Sequence, residues 1–308
     1  MTPLRQALAD YLRIRRALGY KLERAGKLLP QFLDYLEQTG AETVTVEQAL
    51  AWATLPADGS GRWWAFRLSI VRGFAAYLQT LDPATEVPPK DLLAGRPPRA
   101  TPYLYSEEEI AALLAAAGTL RFPLRVATYR TLIGLLAVTG MRVGEAIRLD
   151  RGDVDFEHEL LVVRDSKFGK SREVPLHPST MRALRDYLRR RDRLHPSPSP
   201  PALFISPAGT RLLYCNVHAT FRQLRCRAGL QPRSACCRPR IHDLRHTFAI
   251  RTLLDGYHND GDVQPRLSLL ATYLGHVNPD STYWYLSAAP ELLALAGQRL
   301  ERHLGGRR

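Results

Sequence analysis

The sequence lacks the features that mark membrane-spanning and secreted proteins. No apolar run among its 308 residues is long enough to cross a bilayer, and the start, "MTPLRQALADYLRIRR", contains no apolar signal-peptide segment. The pattern GxxxxGK[ST], which binds nucleotide phosphates, is also missing. There is no internal repeat and no low-complexity tail. The lack of a spanning segment and of a signal peptide favours a cytoplasmic protein.

Cysteine is scarce as well. The four cysteines are Cys215, Cys226, Cys236 and Cys237. Two of them are adjacent and none shows C-x-x-C spacing, so neither a structural zinc site nor a disulfide framework is expected in a chain of this length. We interpret all four as reduced thiols.

Acidic residues are outnumbered by basic ones. The chain has 43 Lys and Arg against 30 Asp and Glu, which gives a formal net charge of +13 and a pI near 9.9. Such a surplus indicates a polyanionic partner, because basic side chains that bind phosphates release condensed counterions. A membrane surface is the other polyanion, but no segment favours it. Nucleic acid is the expected partner.

The spacing of apolar residues predicts two domains joined by a linker. Residues 1–85 are predicted to be helical throughout, residues 86–102 are rich in proline and suit an interdomain linker, and residues 103–308 form a second domain. The fourth predicted helix, "RWWAFRLSIVRGFAAYLQTL", carries three arginines on a face predicted to be exposed: Arg62, Arg67 and Arg72. That face suits contact with a DNA backbone, or it is an ordinary solvated basic face.

The second domain is predicted to be mainly α-helical with a small antiparallel β-sheet. It opens with the capping sequence "SEEEI", and a long helix ends at Gly140. The strand segments "ELLVVR" and "REVPL" then flank a polar turn that contains Lys167 and Lys170. Helices resume from "PSTMRALRDYLRRR" onward.

Two polar segments could bind an anion. In "TGMRVGEAIRL", Arg142 lies at the start of a helix, where its guanidinium and free backbone amides can face one anion, and Glu145 could hold Arg142 or cap the helix. In "HDLRH", His242 and Arg245 could converge on a phosphate. His246 offers an alternative, because a histidine pair four residues apart can bind zinc; the neighbouring arginine argues against a dication.

The segment "LGHVNPDSTYWYLS" adds a histidine and two tyrosines. His276 follows a glycine, and Tyr285 comes nine residues later. Tyr283 and Tyr285 would face opposite sides of a helix, so they cannot share one function.

Together and in this order, four segments resemble those of the tyrosine recombinases, also called phage integrases. They are "TGMRVGEAIRL", "DSKFGKSREVPL", "IHDLRHTFA" and "YLGH" with its following tyrosine, and the resemblance covers residues 103–308. The helical region before them resembles that family's core-binding domain in pattern. The resemblance implies a site-specific recombinase that cuts and rejoins DNA through a 3′-phosphotyrosine intermediate.

Carried over residue by residue, the resemblance implies a catalytic set with Tyr285 as its nucleophile. The set is Arg142, Lys167, His242, Arg245, His276 and Tyr285, with Glu145 in support. Lys170 is the alternative to Lys167, and Tyr283 is the alternative nucleophile. The family implies no metal and no cofactor, double-stranded DNA at specific sites as partner, and a homotetramer on paired sites.

Three alternatives share part of this pattern: a DNA-binding protein of the same fold without cleavage activity, a type IB topoisomerase, and a zinc hydrolase that uses His242 and His246. One departure from the family is a polar insert around Asn259–Gln264. The last segment, "PELLALAGQRLERHL", has an apolar stripe that packs on its own domain or on a neighbouring protomer.

Overall fold

The structure, a computed structural model of the chain, describes residues 2–93, 101–164, 171–196, 201–258 and 263–275, with isolated positions at 293, 294, 297 and 301. The chain forms two compact units, Met1–Arg99 and Ala100–Arg308. The boundary between them lies within residues 86–102, the segment predicted as a linker.

The described part of the first unit is built from four helices. They are α1 (Pro3–Ala17), α2 (Ala25–Gln38), α3 (Val46–Thr54) and α4 (Gly61–Leu78). Thr45 caps α3 as expected, with its hydroxyl accepting from the amide of Gln48 at 3.3 Å. The apolar faces meet in one core, where the rings of Phe32 and Trp52 lie 5.2 Å apart between centroids.

The prediction of a shared exposed arginine face on α4 is wrong for Arg67. Its side chain is only 7% exposed, donates to the carbonyl of Trp52 at 2.7 Å and lies 3.8 Å from the centre of the Trp52 ring. The reason is helix geometry, because residues five apart are rotated by about 140° from each other. Arg62 is exposed, whereas Arg67 holds α4 against α3.

Arg72 also has a structural task. Its guanidinium donates to the carbonyls of Pro88 and Pro89 at 2.7 and 2.6 Å. The Glu86 amide donates to Val44, and Val87 and Leu93 pack against the helical core. Residues 86–93 therefore belong to the packing of the first unit.

The second unit combines seven helices with a small sheet in its described residues. The elements are α5 (Glu107–Ala117), α6 (Pro123–Thr139), α7 (Val143–Arg148), a 3-10 turn (Arg151–Asp153), β1 (Val154–Asp155), β2 (Leu160–Val163), β3 (Arg172–Pro175), α8 (Pro178–Leu194), α9 (Tyr214–Arg227), α10 (Asp243–His258) and α11 (Val263–Leu274). The strands form an antiparallel sheet in the order β1-β2-β3. The predicted turn lysines, Lys167 and Lys170, lie outside the described residues.

Helix α6 is the centre of the second unit. It packs against α5, α7, α8 and α10. Its side chains Leu132, Ile133 and Leu136 are buried in these contacts. A helix that is apolar on most sides belongs in a core. Since α6 ends at the loop before α7 and packs on α10, it fixes the positions of both segments predicted to bind an anion.

The region of the predicted insert is partly helical. Helix α11 begins at Val263, so Val263 and Gln264 belong to that helix, and residues 259–262 lie outside the described part of the chain. The four cysteines are free. No helix among the described residues has both the length and the apolar character required to cross a bilayer.

Gly140 and Gly134 offer a matched test of the α6 end. Gly140 has a left-handed backbone with φ of +59°, and a Cβ there would lie 2.5 Å from the Phe248 ring, whereas a Cβ at Gly134 would meet nothing within 4 Å. We expect Gly140→Ala to lower the free energy of unfolding by about 1–3 kcal/mol, because it adds both backbone strain and overpacking.

Gly134→Ala, within the same helix, should instead raise the free energy of unfolding by about 0.5–1 kcal/mol. Urea unfolding followed by circular dichroism would measure both changes. A loss of equal size in the two variants would contradict the requirement for glycine at the end of α6.

Candidate active site

Arg142 lies in the short connection between α6 and α7. Gly140 turns the chain in a left-handed conformation, and Arg142 is the N-terminal cap residue of α7. Its guanidinium is 27% exposed and donates to the carbonyl of Gly275 at 3.1 Å. The predicted placement of Arg142 at a helix start is therefore what the structure shows.

Glu145 performs both of the tasks considered for it. One carboxylate oxygen accepts from the Arg142 backbone amide at 3.0 Å and the other accepts from the Arg142 guanidinium at 2.7 Å. The same carboxylate also accepts from Arg172 at 2.8 and 3.3 Å. Glu145 thus caps α7 and holds two guanidinium groups.

Glu145 stays ionised although it is buried. Burial by itself raises the pKa of a carboxyl group, but hydrogen bonds and charge from Arg172, and then from Arg142, outweigh it and lower the pKa of Glu145 to about 2. The side chain is 1% exposed. Loss of one guanidinium would leave the buried carboxylate with a single charged partner, which destabilises its ionised form.

Arg245 is buried inside the site. It is 2% exposed and donates to the carbonyl of Gly140 and to that of Leu274, both at 2.8 Å. It therefore joins the end of α6 to the end of α11. Its positive charge adds to the effect of burial and lowers the pKa of the neighbouring His242.

Three arginines from three different elements meet the C-terminal end of α11. Arg172, Arg245 and Arg142 donate to three successive carbonyls, those of Tyr273, Leu274 and Gly275, at 2.7, 2.8 and 3.1 Å. The last carbonyls of a helix have no partner within the helix and carry partial negative charge, so guanidinium groups stabilise them. We name Arg142, Arg172 and Arg245 the arginine cluster.

His242 lies beside the arginine cluster, immediately before α10. Its pKa is lowered to about 4 by desolvation and then by the positive charges of Arg245, Arg142 and Arg240, followed by His218. Burial and the nearby cations act in the same direction, because both disfavour the protonated imidazole. The imidazole is neutral at pH 7, and an anion placed among these cations would favour its protonated form.

The start of α10 is held by contacts that were not predicted. Asp243 is fully buried and accepts from the Arg240 guanidinium at 2.8 and 3.0 Å, and the Arg240 amide also donates to it. Tyr105 donates its hydroxyl to the Arg240 carbonyl at 2.9 Å. These contacts fix the backbone on both sides of His242.

The sequence contained a signal for only some of the residues around the site. Arg240 and Asp243 have the i, i+3 spacing of a helical ion pair. Arg172 is part of the pattern "KFGKSREVPL" but was assigned no role, and nothing marked His218 as a neighbour of His242.

The structure thus brings together Arg142, Glu145, His242 and Arg245. The other predicted site residues, Lys167, His276 and Tyr285, lie outside the described residues, as do Lys170 and Tyr283. Their roles stay predictions. His276 nevertheless directly follows Gly275, whose carbonyl accepts from Arg142.

The histidine pair considered for zinc is surrounded by cations. The rings of His242 and His246 meet edge to face with centroids 4.9 Å apart, and His246 is 8% exposed with Nε2 4.0 Å from Asp243. Three arginines lower the pKa of His242. In the described part of the chain no group of three His, Cys, Asp or Glu residues could hold a metal ion. The positive charges favour an anion at His242.

Comparison with known proteins decides the family. The model of the phage integrase family matches residues 104–291. Over 308 residues the chain is 46% identical to a Sinorhizobium fredii protein named integrase/recombinase y4rB, with 98% of each chain covered. The chain belongs to the phage integrase family. It is a tyrosine recombinase, an enzyme that acts on DNA by strand cleavage and joining.

Solved structures confirm the predicted fold class of the recombinase. The Tn1549 transposon integrase in complex with transposon right end DNA matches with a TM-score of 0.66 at 18% identity, covering 98% of this chain and 99% of that one. A lambda integrase tetramer bound to a Holliday junction matches with a TM-score of 0.58 at 19% identity, covering 92% of this chain and 76% of that one. At these identities the likeness shows the fold alone.

The lowered pKa of His242 can be measured in the recombinase without DNA. We expect its imidazole signals in NMR spectra to titrate with a midpoint near pH 4, below the ordinary value of about 6.5. The unfolded chain then binds the proton more readily, so this group makes the folded state less stable as pH falls from about 6.5 towards 4.

Arg142→Gln removes one of the cations and should raise the midpoint of His242. His242→Gln identifies the signal. An unchanged midpoint in Arg142→Gln would show that Arg142 does not act on the imidazole.

Proposed function

We propose that the recombinase cleaves DNA at a phosphodiester held by Arg142, His242 and Arg245, with Tyr285 as the nucleophile. The observation that carries this proposal is the convergence of these three residues around the end of α11. The chain continues from that end directly into His276, and Tyr285 follows nine residues later. Lys167 is proposed to join the site from the connection between β2 and β3.

The nucleophile of the reaction is a tyrosine, whose hydroxyl is difficult to ionise at neutral pH. A phenol has a pKa of about 10, so ionisation at pH 7 costs about 4 kcal/mol. Fixed positive charges around the phosphate stabilise the negative charge that develops there. The phenolic oxygen attacks phosphorus, a 3′-phosphotyrosine forms and the 5′-oxygen leaves with a proton, which a lysine such as Lys167 can supply.

Neutral His242 suits this chemistry. At pH 7 it can accept a proton from the phenol or donate its N–H to a phosphate oxygen. Arg142 and Arg245 keep their charge at every relevant pH, so they suit the non-bridging oxygens. The 5′-hydroxyl of another strand can reverse the step, which rejoins DNA without ATP.

We also propose that the recombinase acts as a homotetramer on paired DNA sites. The tetramer of lambda integrase on a Holliday junction supports this assembly. Docking of the C-terminal segment on a neighbouring protomer stays a prediction, because that segment lies outside the described residues apart from isolated positions. The cytoplasmic location and the domain limits 1–85 and 103–308 also stay predictions.

Covalent trapping tests the nucleophile. The purified chain is mixed with nicked duplexes made from DNA that flanks its own gene, and the products are separated on a denaturing gel. We expect a slow-migrating protein–DNA adduct that Tyr285→Phe abolishes, because phenylalanine lacks the attacking oxygen.

Tyr283→Phe is the matched control and should retain the adduct. If only Tyr283→Phe loses the adduct, Tyr283 is the nucleophile and the assignment of Tyr285 is wrong. Tight binding with no adduct from any duplex would favour a protein that binds DNA without cutting it.

Arg62 is the one of the three α4 arginines that we retain as a DNA backbone contact. It is exposed, whereas Arg67 is buried and Arg72 donates to Pro88 and Pro89. Arg62→Gln should weaken binding to all duplexes alike and reduce the slope of log affinity against log salt by about 1.

Arg5→Gln removes the same charge from a guanidinium that pairs with Asp34 and Glu37. It should change the salt slope less than Arg62→Gln does. Fluorescence anisotropy at several salt concentrations gives both slopes, and equal slopes would remove Arg62 from the DNA interface.

A further inference from the structure

Arg172 lies at the junction of three elements of the active site. It is the first residue of β3, opposite Val163 of β2, and its side chain is 12% exposed. Its Nε donates to the Tyr273 carbonyl of α11 at 2.7 Å, and its two terminal nitrogens donate to Glu145 of α7 at 2.8 and 3.3 Å. A single guanidinium therefore joins β3, α7 and α11.

Each of these elements carries or adjoins a residue of the proposed catalytic set. Arg142 caps α7, and Glu145 holds its guanidinium. Lys167 lies five residues before Arg172 in the chain, and His276 lies three residues after Tyr273. Movement of Arg172 would therefore affect the position of several groups at once.

We propose that Arg172 is a positioning residue for the cleavage reaction: it holds Glu145, and through it Arg142, against the end of α11 without contacting DNA. This inference rests on the proposed function for the identity of the reacting groups. Its structural part, the effect of Arg172 on Arg142, can be tested separately.

The geometry requires arginine at this position. The guanidinium is a planar fork whose N–H groups reach both carboxylate oxygens of Glu145 and a carbonyl on another element. A lysine ammonium is a point charge on a flexible stem and cannot make the same three contacts in one plane.

Gly275 leaves room for this fork. Its backbone is left-handed with φ of +67°, and a Cβ there would lie 3.0 Å from a terminal nitrogen of Arg172. The backbone of residue 275 therefore lies directly against the guanidinium. The glycine before His276 and the arginine at the start of β3 fit one another.

The charge of Arg172 also controls the charge of Glu145. The carboxylate pairs with Arg142, from the start of its own helix, and with Arg172, from β3. Arg172 opposes the effect of burial more than Arg142 does, and the pKa of Glu145 is about 2. Without Arg172 the buried carboxyl would take up a proton at higher pH and would hold Arg142 less tightly.

The test compares Arg172→Gln and Arg172→Lys with a matched control, Arg191→Lys. Arg191 is also buried, at 1% exposed, and also donates to a backbone carbonyl, that of Ala202 at 2.9 Å, but it lies on α8. Each purified variant is measured for melting temperature, for duplex affinity, for the first-order rate of adduct formation at saturating nicked duplex, and for the pH dependence of that rate.

We expect Arg172→Gln to bind the duplex within about twofold of the wild type but to form the adduct about a hundredfold more slowly, as misplacement of reacting groups does. Its rate should also begin to fall at a higher pH than that of the wild type, because Glu145 is protonated more readily. Arg172→Lys should recover part of the rate. Arg191→Lys should lower the melting temperature and leave the rate and its pH profile unchanged.

Two results would overturn the inference. If Arg172→Gln loses duplex affinity in proportion to its rate, Arg172 contacts DNA itself. If Arg191→Lys and Arg172→Gln lose rate equally, the effect reports stability alone.

A double variant tests the same inference. Arg172→Gln combined with Glu145→Gln should lose little more rate than either change alone, because the two residues act as a unit.

One readout does not depend on cleavage. The side-chain NMR signals of Arg142 should show a guanidinium that is rigid in the wild type and mobile in Arg172→Gln. If the wild type forms no adduct, the proposed function fails, and this signal still decides the role of Arg172. An Arg142 guanidinium that is equally rigid in both proteins would refute the positioning role.

Discussion

The contact between arginine side chains and the last carbonyls of α11 determines how the candidate active site is arranged. Tyr273, Leu274 and Gly275 each accept from a different arginine, and the three arginines come from β3, α10 and the start of α7. Backbone carbonyls at a helix end need partners, and guanidinium groups satisfy them with both hydrogen bonds and charge. The C-terminal end of α11 therefore holds β3, α10 and the start of α7 close to one another.

Placing several cations together requires compensating negative charge, and two buried carboxylates supply part of it. Glu145 neutralises charge beneath Arg142 and Arg172, and Asp243 does so beneath Arg240. Desolvation, together with the positive charges of Arg245, Arg142 and Arg240, lowers the pKa of the nearby His242 to about 4. Several cations beside a neutral imidazole suit a site that binds a phosphate, because the anion supplies negative charge.

Local patterns in the sequence predicted the elements well, because capping and strand alternation depend on neighbouring residues. Arg142 at the start of α7 and the caps at Thr45 and Ser106 are examples. The pattern could not show which arginines are buried. Arg67 turned inward because five-residue spacing rotates a side chain around the helix, and Arg172 contacts a carbonyl 101 residues away, which no side-chain motif encodes.

The most direct test of this account is the structure of Tyr285→Phe bound to the duplex that the trapping assay selects. The account predicts that the scissile phosphate lies within hydrogen-bond distance of Arg142, His242 and Arg245, next to the end of α11. It also predicts that Glu145 and Arg172 keep their contact in the complex. A scissile phosphate bound away from Arg142 and His242 would contradict the assignment of the active site.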